Sequence, residues 1–117
     1  MDKVYEISLL MDFYGQLLTK KQYDMMDLHF NNDYSFGEIA EHMDISRQGV
    51  YEHIKKGKIT LLEMEEKLGL VKKFSRQRQK ANEILEYLKK ISENPDGTLK
   101  KTYLNKIKNL VVDILED

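Results

Sequence analysis

Between residues 46 and 58 the chain carries Ser46, Arg47, Gln48, Tyr51, Glu52, Lys55, Lys56 and Lys58. Wound at 3.6 residues per turn, Arg47, Gln48, Tyr51, Glu52 and Lys55 share an open face, while Val50 and Ile54 face the other way. An arginine fork suits the O6 and N7 acceptors of guanine, a glutamine amide suits adenine N6 and N7, and lysines suit phosphate. Glu52 works against phosphate, although a carboxylate accepts from cytosine N4. In the first two turns of a helix, such side chains reach base edges in a major groove. Lys55, Lys56 and Lys58 lie further along, where phosphate is the nearer target. The chemistry indicated is nucleic-acid recognition, with Ser46 as helix cap and phosphate donor.

A helix that presents this face needs a second helix behind it. Ser35 followed three residues later by Glu38 is a capping-box start, and Ile39, Ala40 and Met43 then recur at helical spacing. Ala40 is small where the next helix crosses closely. Asp44-Ile45 is short enough for a tight turn, Ile45 can plug the angle between the helices, and Ser46 is a good N-cap. The spacing therefore predicts a helix-turn-helix over residues 35–68. The plainer alternative is a helical hairpin whose apolar stripe merely packs.

Upstream, Val4, Ile7, Met11, Tyr14 and Leu18 predict an amphipathic helix over 2–18, ending near Gly15. Thr19 with Gln22 is a second capping box, opening a helix through about Phe30 that buries Tyr23, Met26 and Phe30. Met25 and Met26 read as gap-filling core. Asn31-Asn32-Asp33 is a polar stop. Downstream, Val50, Ile54, Gly57, Leu61, Met64 and Leu68 alternate four and three apart, a heptad-like seam that Gly69 closes as a C-cap. Gly57 weakens the helix by up to ~1 kcal/mol but permits close approach of another. A further helix puts Val71, Phe74, Ala81, Leu85, Leu88 and Ile91 on one face, with Arg76, Arg78 and Lys80 off it. Asn94-Pro95-Asp96-Gly97 is a turn. Thr98 is placed to cap a last helix with a broad stripe from Leu99 to Leu115. No stretch alternates with period two, so the expected class is all-α.

With 117 residues, 41% hydrophobic and 33% charged, the composition fits one soluble globular domain. The absence of Cys excludes disulfide scaffolds and thiolate zinc sites. No apolar run reaches the ~18 residues of a membrane span, and the N-terminus lacks a signal peptide's regions. The expectation is a cytoplasmic protein without membrane insertion. The net charge of −1 hides a division. Residues 1–44 carry three lysines against nine acids, residues 45–80 carry ten Lys or Arg against four Glu, and residues 81–117 carry six bases against seven acids. A basic block on and beyond the recognition helix is what a phosphate-facing surface requires; a solvated helix face is the plainer alternative. His29, His42 and His53 are too widely spaced to pair as metal ligands. Glu38 and His42 share a helical face, which a surface hydrogen bond explains. No phosphate-cradling glycine loop, nucleophile elbow or zincin motif occurs. Neither catalytic residues, metal nor cofactor is expected, and the chain reads as a non-enzyme.

The stretch LLTKKQYDMMDLHFNNDYSFGEIAEHMDISRQGVYEHIKKGKITL resembles the helix-turn-helix of sigma-factor region four. The likeness rests on a Leu-Thr-x-x-Gln helix start, a Ser-x-x-Glu-Ile-Ala scaffold helix, Ile-Ser, and a Val four before an apolar residue. The whole chain is closer to the YlxM-like family of small bacterial proteins described as DNA-binding regulators, with DFYGQLLT, DYSFGEIAE and ISRQGVYEHIK the most telling stretches. That resemblance implies a bacterial cytoplasmic protein encoded beside genes of the signal recognition particle, with a role in that pathway or its regulation. A sigma factor proper is not implied, because the promoter-melting and polymerase-binding regions are missing. Glu52 and His53 stand where many sigma-type recognition helices carry further Arg or Lys.

Two functions of different class follow. One is a DNA-binding regulator that reads the major groove with residues 46–55. The other is an adaptor that binds signal recognition particle protein or RNA through the basic block around Lys72–Lys80, RNA being held by phosphate and shape. The expected organisation is a single helical domain over 1–117, with a helix-turn-helix core at 19–58 and a C-terminal extension at 59–117. The seam and the last stripe offer more apolar surface than a small core needs, so a homodimer built largely from residues 60–117 is expected. Folding of the C-terminal helices back onto the core is the alternative.

Overall fold

The computed structural model describes residues 3–117. Among them lie six α-helices: α1 Lys3–Tyr14, α2 Lys20–Met26, α3 Phe36–Met43, α4 Arg47–Leu68, α5 Leu70–Glu93 and α6 Lys100–Glu116, with no strand. The expected all-α class is what is found. The chain divides into two compact units, Met1–Val71 and Lys72–Asp117.

In the first unit the core gathers Ile7, Leu10, Met11, Tyr14, Leu18, Met25, Met26, Ile39, Ala40, Val50, Ile54, Leu61 and Val71. The α4 stripe supplies its centre, packed on α1, α2 and α3. Close approach is arranged at Gly57, where a Cβ would run into Met26 Sδ. A fully buried methionine with no free volume beside it explains why this mid-helix position forgoes a better helix former.

Both anticipated capping boxes form. Thr19 Oγ1 accepts from Gln22 N–H while Gln22 Oε1 accepts from Thr19 N–H, each at 3.1 Å. Ser35 and Glu38 do the same at 3.1 and 3.0 Å. Hydrogen bonding first from the Ser35 backbone and then from its hydroxyl holds the Glu38 carboxyl below its ordinary range. At the other end of α4, Gly69 takes φ 62° and closes the helix on the Glu65 carbonyl, as a glycine C-cap should.

Several expectations need correction. The first helix ends at Tyr14, next to Gly15 as expected, and residues up to Leu18 continue through a short 3-10 turn, Gly15–Leu17, rather than the helix; its proposed start at residue 2 lies outside the described residues. Leu10 joins its buried stripe, and Val4 is exposed. The second helix ends at Met26, and Asp27–Asn31 widen into a π turn. That turn is held by Asn31 Nδ2 on Asp27 Oδ1 at 2.7 Å, and Ser8 Oγ donates to Asn31 Oδ1 at 2.6 Å. Tyr23 is 40% exposed and Phe30 is half-buried, so Met25 and Met26 carry the burial assigned to them. The seam of α4 is consumed inside the unit as far as Leu61, while Leu68 is exposed. Thr98 does not cap α6: the N-cap is Leu99, without a side-chain bond, and Lys100 N–H instead reaches the Gly97 carbonyl at 3.3 Å.

In the second unit α5 and α6 form an antiparallel hairpin. Tyr87 and Tyr103 meet with ring centroids 5.5 Å apart, and Arg76 pairs with Asp117 at 3.0 Å. Ile84, Tyr87 and Ile91 are half-buried, whereas Leu85 and Leu88, expected on the buried face, are exposed. None of the α6 side chains is fully buried.

Candidate nucleic-acid interface

Two bonds make the turn between α3 and α4. Asp44 adopts the left-handed conformation (φ 56°, ψ 49°) and its N–H closes on the Ala40 carbonyl. Ile45 N–H reaches the same carbonyl at 3.0 Å. Aspartate tolerates this region better than most side chains, and the reversal places Ile45 half-buried against the core. Ser46 is then in extended backbone, and its Oγ accepts from Gly49 N–H at 3.0 Å. The cap expected there is present.

With Val50 and Ile54 buried, Arg47, Gln48, Tyr51, Glu52, Lys55 and Lys56 lie exposed along the opposite side of α4, and Lys58 is half-buried. Gln48, Tyr51, Glu52 and Lys55 share the centre of that side, while Lys56 lies on one flank beside Thr19 and Gln22 and Lys58 on the other beside Phe30. The Arg47 guanidinium rests over Gly37, where an added Cβ would stand 3.1 Å from Nε and Nη2. Gln48 Nε2 donates to Glu52 Oε1 at 2.9 Å. Lys55 Nζ stands 6.0 Å from the Tyr51 ring centroid, and Lys58 Nζ stands 6.0 Å from that of Phe30.

Sequence reading missed an aromatic shelf beside this face. Phe36 meets Tyr51 edge-on at 6.3 Å, and His29 lies against both Phe36 and Phe30 at 4.8 Å. His29 Nδ1 is 2.7 Å from the Tyr34 carbonyl. A carbonyl can only accept, so Nδ1 carries the proton and the ring is fixed in place. The signal lay in His29-Phe30 and Tyr34-x-Phe36 flanking the polar stop, but its meaning depended on the π turn. Among the described residues, no group of three or more His, Asp or Glu side chains is placed to hold a metal ion. No helix among them is long and apolar enough to cross a membrane.

A capped helix packed through a tight turn on a shorter scaffold helix, its far face left exposed, defines the chain as a helix-turn-helix protein. Comparison with known proteins places it more narrowly. Residues 1–107 match the family model UPF0122, described as "Putative helix-turn-helix protein, YlxM / p13 like". A UPF0122 protein of Acetivibrio thermocellus is 53% identical over 116 residues, covering 99% of both chains. One from Desulforamulus reducens is 39% identical over 118 residues, covering 99% of this chain and 96% of its own. One from Limosilactobacillus reuteri is 40% identical over 111 residues, covering 94% and 96%. The chain belongs to the UPF0122 family, in agreement with the YlxM-like resemblance read from its residues.

Proposed function

We propose that this protein is a DNA-binding regulator that inserts the first turns of α4 into the major groove. The observation that carries the reading is the uncovered face of Arg47, Gln48, Tyr51, Glu52, Lys55 and Lys56 on a helix whose other side is fixed in the core. Arg47 and Gln48 stand in the first turn and read base edges; Ser46, Lys55, Lys56 and Lys58 serve phosphate, and Tyr51 packs between the two sets. The protein acts as a homodimer, because two-fold pairs present two recognition helices to a palindromic site. Its place beside the protein-targeting machinery of a bacterial cytoplasm rests on the family resemblance.

The test separates the two kinds of contact. Replacing Arg47 or Gln48 with Ala is expected to relax sequence preference, a good bidentate base contact being worth about 1–3 kcal/mol of discrimination. Replacing Lys55 or Lys56 is expected to weaken all sequences alike and reduce the salt slope by about one. Folded Arg47→Ala and Gln48→Ala proteins that bind every DNA as the parent does would contradict the reading.

A second reading draws on α5, whose first half carries Lys72, Lys73, Arg76, Arg78 and Lys80 with no acid from Leu70 to Asn82. In that reading the protein is an adaptor to signal recognition particle protein or RNA. Negligible DNA binding throughout, with particle binding lost in Lys72→Glu or Arg76→Glu proteins, would favour it.

A further inference from the structure

Beyond the base-reading turns, α4 carries an apolar cleft of about 230 Å³. Phe36 and Tyr51 wall one end, Ile59 and Leu62 the other, and Lys55 and Lys58 stand along it. Its volume is below the ~300 Å³ at which small-molecule pockets begin, so it suits one or two inserted side chains. Tyr51, Ile59 and Leu62 are each left 45–47% exposed, so a contiguous run of large apolar surface faces outward over three turns. Scattered exposed apolar residues need no explanation, but a run of them rimmed by charge marks an interaction surface.

The position and chemistry decide what kind of partner fits. Ile59 lies twelve residues beyond Arg47, ~18 Å further along the helix axis, past the turns that reach base edges. Phosphate and sugar offer nothing for Ile59 and Leu62 to bury against. No acidic side chain lines the cleft, and the charges present are two lysines. We infer that this cleft docks a short amphipathic helix of another protein, which inserts apolar side chains spaced three or four residues apart and sets Asp or Glu against Lys55 and Lys58. Helix-in-groove recognition uses this spacing, and the lysines would fix its direction and exclude basic helices. The inference does not need the first turns of α4 to read DNA; where they do, the docked helix and DNA compete for Lys55 and Lys58.

Panning a phage-displayed library of random dodecapeptides against the full chain tests it. The expected result is enrichment of peptides with two or three large apolar residues at i, i+3 or i+4 spacing and neighbouring Asp or Glu. Binding of the synthesised winner, followed by fluorescence anisotropy, is expected to fall about tenfold or more in a Leu62→Asp protein, as truncation of an interface anchor does. Lys58→Glu is expected to weaken it and to regain binding when the peptide's acids are changed to Lys. Both positions are solvent-accessible, and circular dichroism checks that the helices persist; Ile59→Ala supplies a milder variant. Three results would overturn the inference. These are a library without a motif or one whose winners ignore Leu62→Asp, an uncharged Leu62→Ala protein whose DNA binding falls as that of Lys55→Ala does, and a dimer that Leu62→Asp splits, which would give the cleft to a second copy.

Discussion

Gln48 and Glu52 hold each other across one turn of α4, and that bond governs what either can offer a base. While it stands, one of the two glutamine amide N–H donors is occupied and a carboxylate stands on the exposed face of α4. Glu52→Gln is therefore expected to strengthen binding to DNA of any sequence, by on the order of 1 kcal/mol for one removed charge near phosphate at solvent dielectric. Titrations at two salt concentrations check it: a gain that shrinks as salt rises is expected, whereas weaker binding at one base pair alone would assign Glu52 to a cytosine contact. A second residue-scale device sits behind the interface. Tyr14 Oη donates to Glu65 Oε1 at 2.6 Å and accepts from Leu70 N–H at 3.1 Å, while Val71 N–H donates to the same carboxylate oxygen at 3.0 Å. Burial first, and then the Glu65 bond, raise the Tyr14 hydroxyl above its ordinary value. The fold thus favours the protonated phenol. Stability from that preference is full below pH ~10 and declines as pH rises beyond it. Tyr14→Phe is expected to cost about 0.5–1.5 kcal/mol at neutral pH and to cost less as pH rises above about 10, measured by urea denaturation at neutral pH and above pH ~10. Tyr14 itself was legible as a buried residue from its place in the α1 stripe. Its partner was not, because Glu65 is 51 residues away and only the left-handed turn at Gly69 brings the start of α5 back to it.

At the scale of elements, the capped helix starts were the most legible part of the chain, since Thr19-x-x-Gln22, Ser35-x-x-Glu38 and Ser46 state their bonds within four residues. Ser35→Ala is expected to destabilise by roughly 0.5–2 kcal/mol without altering the exposed face of α4. Because the Glu38 carboxyl is held below its ordinary value of 4.5, the carboxylate half of this box stabilises fully above that value and is lost as pH falls below it. The difference between parent and a Glu38→Ala protein in chemical denaturation should therefore narrow in acid. What local pattern did not reveal were the departures from regular helix. Periodicity carried the second helix to Phe30, yet the chain widens after Met26, where Asp27, Asn31 and Ser8 bond one another. Asp27 and Asn31 are four residues apart, but Ser8 lies 23 residues from Asn31, so no window of sequence shows the three together. The same holds for Thr98. Its type suits a cap, but the preceding Gly97 already supplies the carbonyl that receives Lys100 N–H.

Across the whole molecule, the division of charge seen in the sequence maps onto α4 and the start of α5, whereas the division of apolar surface does not follow the sequence reading. The seam from Val50 to Leu61 is used within the first unit, so it offers nothing to a partner. The hairpin of residues 72–117 is different: none of its side chains is fully buried, and Leu85, Leu88, Leu104 and Val111 remain exposed, Leu115 at 79%. Two helices that bury no side chain completely are marginal in water, and a second copy of the same hairpin would complete a four-helix arrangement. Sedimentation equilibrium at micromolar protein is expected to give twice the mass of one chain, and Leu88→Glu to return it to one; a parent that stays monomeric at high micromolar concentration would contradict the dimer. The candidate site was legible because a recognition helix writes its buried and open faces into one run of thirteen residues. The aromatic shelf and the apolar cleft were not, because they are assembled from α3, the π turn and the far half of α4.

If the first turn of α4 reads bases, selection from a random pool of duplex DNA will show it. The parent protein and its Arg47→Ala variant are each carried through the same rounds at one fixed salt concentration, and the recovered duplexes are sequenced. The parent is expected to enrich a motif with two related half-sites, and Arg47→Ala to recover it with the preference relaxed at one position of each half. Recovery of duplexes without any shared motif, or of the same motif undiminished by Arg47→Ala, would contradict it.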